Sequence, residues 1–187
     1  MKSFIENQNA KVLVLGTLIG GSISSLVKSG MELNMPPRMQ GEVSPPAANI
    51  DDWLGFLGIN SHSLDYSYQG INIMGAVLIY HWVFSFMFTF LYIYASLWFP
   101  KVRAWYGAAY GILITLLMHG ILIPAFGFRY PEYLNGDVGW LWNLNAYELL
   151  SELIGHIFWS VSIEISLIAV LTLTSRSMQV DKLKSAY

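Results

Sequence analysis

INIMGAVLIYHWVFSFMFTFLYIYASLWF, residues 71–99, is the stretch whose reading decides the fold. It carries no Asp, Glu, Lys or Arg and lies inside an uncharged run between Asp65 and Lys101. A helix needs about 20 mostly apolar residues to cross a bilayer, so this stretch is long enough to span one. Three more stretches qualify: about residues 11–31, 103–126 and 146–174. The predicted fold is therefore an all-α integral membrane protein, with four transmembrane helices in an antiparallel bundle and one domain over residues 1–187. The remaining segments are loops at about 32–70 and 127–145.

Composition agrees. Of the 187 residues, 55% are hydrophobic and only 12% charged, where a soluble domain carries about 25% charged residues. Mean hydropathy is +0.48. The absence of Cys excludes disulfides, thiolate metal sites and cysteine nucleophiles. A net charge of -2 offers no basic face to nucleic acid. Hydrolase, Walker, dinucleotide-binding and zinc-protease motifs are all missing, and no enzymatic activity is expected.

The first span is the least oily, because Gly16, Gly20, Gly21, Ser22, Ser24 and Ser25 interrupt it. Gly16, Gly20 and Ser24 form a small-residue stripe suited to close helix packing, within the chain or with another copy. With Glu6 near its start and no clean small-x-small site after the apolar run, this segment reads as retained rather than as a signal peptide. Lys2, Lys11, Lys101, Arg103, Arg176, Lys182 and Lys184 fall on one face of the membrane, against Lys28, Arg38 and Arg129 on the other. Both termini are therefore expected in the cytoplasm, with the two long loops outside. Within the first outer loop, residues 50–57 read as a short interfacial helix capped by an Asp.

Ionisable groups inside a membrane helix cost about 2.5–3.5 kcal/mol each at mid-bilayer on insertion scales, and so need a reason to stay. Here they are Lys28 and Glu32 on the first span, His81 on the second, His119 on the third, and Glu148, Glu152, His156 and Glu164 on the fourth. At about 1.5 Å of rise per residue, most lie in the outer half of the bilayer, His81 roughly 15 Å from its helix start. Glu148, Glu152 and His156, spaced i, i+4, i+8, share one face of the fourth helix. Glu164 points about 120° away, toward a different helix or another subunit. The stiff Pro36-Pro37 pair would hold Arg38 over the mouth of this cluster.

Three readings of the cluster stay open at this point. Histidine changes charge near neutral pH, so His81, His119 and His156 with Glu152 would bind or relay protons. Alternatively the cluster is a static polar core of a structural or accessory subunit in a homo-oligomer or larger membrane assembly. As a third reading, His81, His119, Glu152 and His156 would hold a transition metal or a haem.

Four blocks carry a resemblance to a known family: Lys28-x-Gly30-x-Glu32-x-x-x-Pro36-Pro37-Arg38; Asp52-Trp53-Leu54-Gly55; His81-x-x-Phe84-Ser85 continuing to Phe99-Pro100-Lys101, Trp105-x-Gly107, His119 and Pro124; and Ser151-Glu152-x-x-Gly155-His156-x-x-Trp159-x-x-Ser162-Ile163-Glu164. In this order and spacing the chain resembles the YagU family of bacterial inner-membrane proteins, defined as a domain of unknown function. It departs from the family's best-known member at residues 41–48, where a cysteine-bearing insert is missing. The resemblance implies an inner-membrane location and a link to survival at acid pH. It implies no enzymatic activity.

Overall fold

The computed structural model describes residues 2–35, 45–122, 125 and 146–184. Among these, four helical segments are long and apolar enough to cross a membrane: Asn9–Asn34, Gly75–Trp98, Pro100–Leu122 and Leu149–Ser175. They belong to α1 (Lys2–Asn34), α3 (Gly75–Trp98), the pair formed by a 3-10 segment (Pro100–Gly107) and α4 (Ala108–Leu117) with a π-helical turn (Met118–Leu122), and α5 (Ala146–Lys184). Between α1 and α3 come α2 (Pro45–Phe56), a 3-10 turn (Ser61–Leu64) and two strands, β1 (Asp65–Tyr68) and β2 (Ile71–Met74).

Burial is inverted relative to a soluble domain. Leu18, Leu26, Val83, Leu113, Ile165 and Leu173 are exposed, whereas Ser24, Lys28, Thr89, Glu152 and Glu164 are buried. A bilayer rewards this arrangement, because hydrocarbon solvates apolar side chains and leaves polar ones to find partners inside. Tyr92, Ile93, Ile163 and Leu167, all almost fully buried, form the apolar centre with Trp159 and Tyr110.

The small-residue stripe of α1 is used within the chain. A Cβ on Gly16 would lie 2.8 Å from Ile93, and one on Gly20 3.4 Å from Thr89. Ser24 meets Ser85 at 3.2 Å. Contacts thus fall along α3 as they rise along α1. The same holds between α1 and α5, where Gly20 faces Ser166 and Lys28 reaches Glu152.

Three boundaries differ from the sequence expectation. Residues 71–74, assigned to the second span, instead pair with β1 in register Tyr68↔Ile71 through Asp65↔Met74. Gln69 (φ 50°) and Gly70 (φ 80°) supply the two positive-φ residues that such a tight hairpin turn requires. Helix α3 starts only at Gly75, where a side chain would collide with the Leu64 carbonyl. The third span is α-helical from Ala108, not from 103, because Trp105 (φ 55°), Tyr106 (φ 54°) and Gly107 (φ 87°) form a left-handed turn. The outer-loop helix starts at Pro45, which puts Asp51 and Asp52 in mid-helix rather than at its cap. Ser61 Oγ instead donates to the Asp51 carboxylate. Burial and the adjacent Asp51 push the Asp52 carboxyl above its usual range.

His62 Nδ1 lies 2.9 Å from Asp65 Oδ2 and its Nε2 4.0 Å from Asp51. The hydrogen bond to Asp65, and then that carboxylate's charge, raise the imidazole above its ordinary 6.5. A raised folded value means that the contact stabilises the hairpin fully below the unfolded value and is lost as pH rises through the folded one. The His62 ring should therefore titrate above 6.5 by NMR, and Asp65→Asn should lower that midpoint. An unmoved midpoint would show that the pair is not formed.

Candidate functional site

Each crossing contributes to one buried polar network. Helix α1 brings Lys28 and Glu32 together at i, i+4, and Lys28 Nζ lies 3.0 Å from Glu32 Oε1. From α5, Glu152 presents Oε2 to the same ammonium at 2.8 Å. Gly155, one turn on, makes room for it, since a Cβ there would come within 3.1 Å of Lys28 Nζ. His81 of α3 places Nδ1 3.0 Å from Glu32 Oε2. His119, on the π-helical turn, aims Nε2 at Glu152 Oε2 from 3.5 Å. Single π turns inside helices recur at functional sites because they re-aim a side chain.

His156 Nδ1 donates to the Glu152 backbone carbonyl at 2.8 Å and lies 3.8 Å from the Glu152 carboxylate. An imidazole nitrogen facing a carbonyl must carry hydrogen, so the neutral ring keeps its lone pair on Nε2. The His119 and His156 rings lie edge to face, 5.5 Å apart. His119 Nδ1 is buried with no hydrogen-bond partner among the described residues. Lys28, His119, Glu152 and His156 are nearly sealed, with side chains 4–7% exposed, while Glu32 (13%) and His81 (16%) form the more open end. Imidazole and carboxylate atoms at these separations can exchange protons directly or through one water.

Six sequence-selected residues therefore meet: Lys28, Glu32, His81, His119, Glu152 and His156. Glu164 does not join them. Twelve residues beyond Glu152 on α5, it sits roughly 18 Å farther along the helix. It takes a two-pronged bond from Arg103, with Nη2 at 2.6 Å and Nε at 2.9 Å from Oε1, while Tyr92 OH donates to Oε2 at 2.8 Å. The expected different helix is thus found inside the same chain. In the sequence Arg103 reads only as a flanking charge that orients the helices. The left-handed Trp105–Gly107 turn folds it back onto α5, and no periodicity signals that. Glu148 falls on α5 with its side chain outside the described part, and Arg38 lies outside the described residues.

His119, Glu152 and His156 each offer a ligand atom within 4.8 Å of one another, the one such group among the described residues. His81, the fourth residue of the metal reading, stands with Glu32 instead.

Residues 22–165 match the family model described as "Protein of unknown function (DUF1440)". The chain belongs to the DUF1440 family. The match takes in both ion clusters. The chain is also 30% identical over 172 residues to the inner membrane protein YagU of Escherichia coli (strain K12), covering 79% of this chain and 78% of that protein. These matches bear out the YagU resemblance drawn from the four sequence blocks. With the four apolar helices, they make this DUF1440 member a multi-pass inner-membrane protein. No solved structure matches it.

Proposed function

We propose that the protein is a non-enzymatic proton-binding membrane bundle, and that the network around Lys28 and Glu152 takes up and relays protons. The meeting of three imidazoles with two carboxylates carries this reading. One ammonium, Lys28, faces Glu32 and Glu152 in a buried setting, with His81 beside Glu32 and with His119 and His156 beside Glu152. Imidazole is the side chain that takes up and releases protons near neutral pH, and a carboxylate in contact with it can hand the proton on. A proton taken up here belongs to the network as a coupled set rather than to one residue.

A resident divalent metal on His119, Glu152 and His156 fits less well, because Lys28 already occupies the Glu152 carboxylate oxygen at 2.8 Å and its ammonium would repel the ion. A haem held by two of these rings would likewise compete with the contacts that His119 and His156 make to Glu152.

In this reading the helices form an antiparallel four-helix bundle, both termini are cytoplasmic, and α2 lies in the outer interface. The Glu32–His81 end then faces the periplasm, where protons arrive during acid stress. Acid tolerance, implied by the family resemblance, is the physiological setting. The small-residue stripe and Glu164 are both satisfied within one chain, so neither calls for a second copy.

Protein in liposomes with a trapped pH dye and a potassium clamp should carry protons down an imposed gradient. The His119→Ala/Glu152→Gln double variant should lose about tenfold or more of that flux. Unchanged flux in the variant would remove the relay from these residues.

A further inference from the structure

A column of buried hydroxyls runs from the Lys28 network toward Glu164. On α3, His81, Ser85, Thr89 and Tyr92 follow at spacings of four, four and three, which keeps them within about 80° of one face at about 100° per residue. Ser85, Thr89 and Tyr92 are at most 2% exposed. Trp159 Nε1 donates to Ser85 Oγ at 2.7 Å. Ser85 Oγ lies 3.2 Å from Ser24 Oγ, which lies 3.5 Å from Thr89 Oγ1. An indole N–H only donates, so Ser85 accepts from Trp159 and is left to point its own hydrogen at Ser24. Ser24 can then donate to Thr89, or to the Gly21 carbonyl at 3.3 Å. With Ser24 donating to Thr89, the hydrogens are aligned from the Lys28 end toward the Arg103 end.

Serine and threonine in membrane helices usually satisfy themselves on the preceding turn, as Ser25 and Thr115 do here on carbonyls of their own helices. The column is different, because its hydroxyls also meet between helices α1 and α3, and Ser85 accepts the Trp159 N–H of α5. At its far end Tyr92 OH reaches a carboxylate already paired with Arg103.

We infer that Ser85, Ser24 and Thr89 form a proton path joining the Lys28–Glu152 network to a second proton site, the Glu164 carboxylate held by Arg103 and Tyr92. The inference rests on the proton-binding reading of the first network and adds its route and its far terminus. Transfer moves one proton and no electrons. Ser85 oxygen accepts a proton and releases its own hydrogen to Ser24, Ser24 does the same toward Thr89, and a proton arrives on Glu164. The hydroxyls are left reversed, and the fixed Trp159 N–H favours their return. The path needs a bridge at each end, which one water could supply, from His81 to Ser85 and from Thr89 to the Tyr92 hydroxyl; Tyr92 then passes its own hydrogen to Glu164 Oε2 and takes the arriving proton in its place. Protonated Glu164 loses its charge pairing with Arg103, which frees the proton's exit through the half-open Arg103 side, 32% exposed.

The full chain in liposomes tests this, with proton flux measured beside proton uptake by the same protein in detergent after a pH jump. Thr89→Val and Ser24→Ala should each cut flux about tenfold or more while uptake stays at the wild-type level, and Thr89→Ser should restore flux. Glu164→Gln should likewise stop flux and lower total uptake by no more than the one proton that this second site binds. Wild-type flux in Thr89→Val and Ser24→Ala overturns the path. Uptake without any flux in the wild type also overturns it, yet leaves the proton-binding reading standing. Loss of both in the wild type defeats that reading as well. Because Ser24→Ala removes a single oxygen, it carries the test should Thr89→Val fail to fold.

Discussion

Lys28→Met should destabilise the protein by about 3–5 kcal/mol, the cost of removing one partner from a buried ion pair. The ammonium lies 2.8 Å from Glu152 and 3.0 Å from Glu32, and all three side chains are largely shielded. Without it, the buried Glu152 carboxylate loses its ammonium, and the described groups left beside it are the His119 and His156 imidazoles. The penalty belongs to the orphaned charge more than to the lost bond. Pairing Lys28→Met with Glu152→Leu should therefore recover a large part of the loss, since two apolar side chains replace the pair. Unfolding in detergent, by heat or by titrated SDS, measures both variants. A single variant as stable as wild type would mean that Lys28 and Glu152 are not partners. A double variant worse than the sum of the singles would show that the site tolerates no apolar filling.

Gly111→Ala should cost about 3 kcal/mol through overpacking against backbone, the least yielding kind of neighbour. A Cβ at Gly111 would collide with the His156 carbonyl and with Ser160 Oγ, where α4 lies closest to α5. The collision would push α4 off the helix that carries Glu152 and His156, so the contact of His119 with Glu152 should weaken as well. Gly30→Ala is the matched control, because nothing lies within 4 Å of the added methyl. It should be neutral or slightly stabilising through helix propensity. Equal midpoints for Gly111→Ala and Gly30→Ala in the same unfolding assay would contradict the close α4–α5 packing.

Both predictions concern contacts between residues far apart in the chain, and these mark where sequence reading stops. The membership of Lys28, Glu32, His81, His119, Glu152 and His156 in one cluster was legible, because each is an expensive group at a depth that rise per residue reveals. Which of them touch was not legible. His81 was grouped with His119 and His156 as a metal set, yet its partner is Glu32, since the rotation of α3 about its axis turns it toward α1. The hydroxyl column was equally hidden. In the sequence Ser24 belongs to a small-residue stripe, Ser85 to a family block, and Thr89 stands out in no way; only the approach of α1 to α3 makes their oxygens neighbours. The hairpin at 65–74 was missed because Gln69-Gly70 is a weak turn signal beside a long apolar run.

From the sequence by itself follow the solvent, the number of helices able to cross it and the level of the costly polar groups along them. These depend on composition and on the fixed rise of a helix, which are local quantities. Only the tertiary structure decided the pairings: Lys28 with Glu152, Glu32 with His81, and Arg103 with Glu164 by way of a left-handed turn. A helix's period says which side chains share a face. What that face meets depends on how the helices rotate and slide until buried charge finds its opposite, and that is settled by the whole bundle at once.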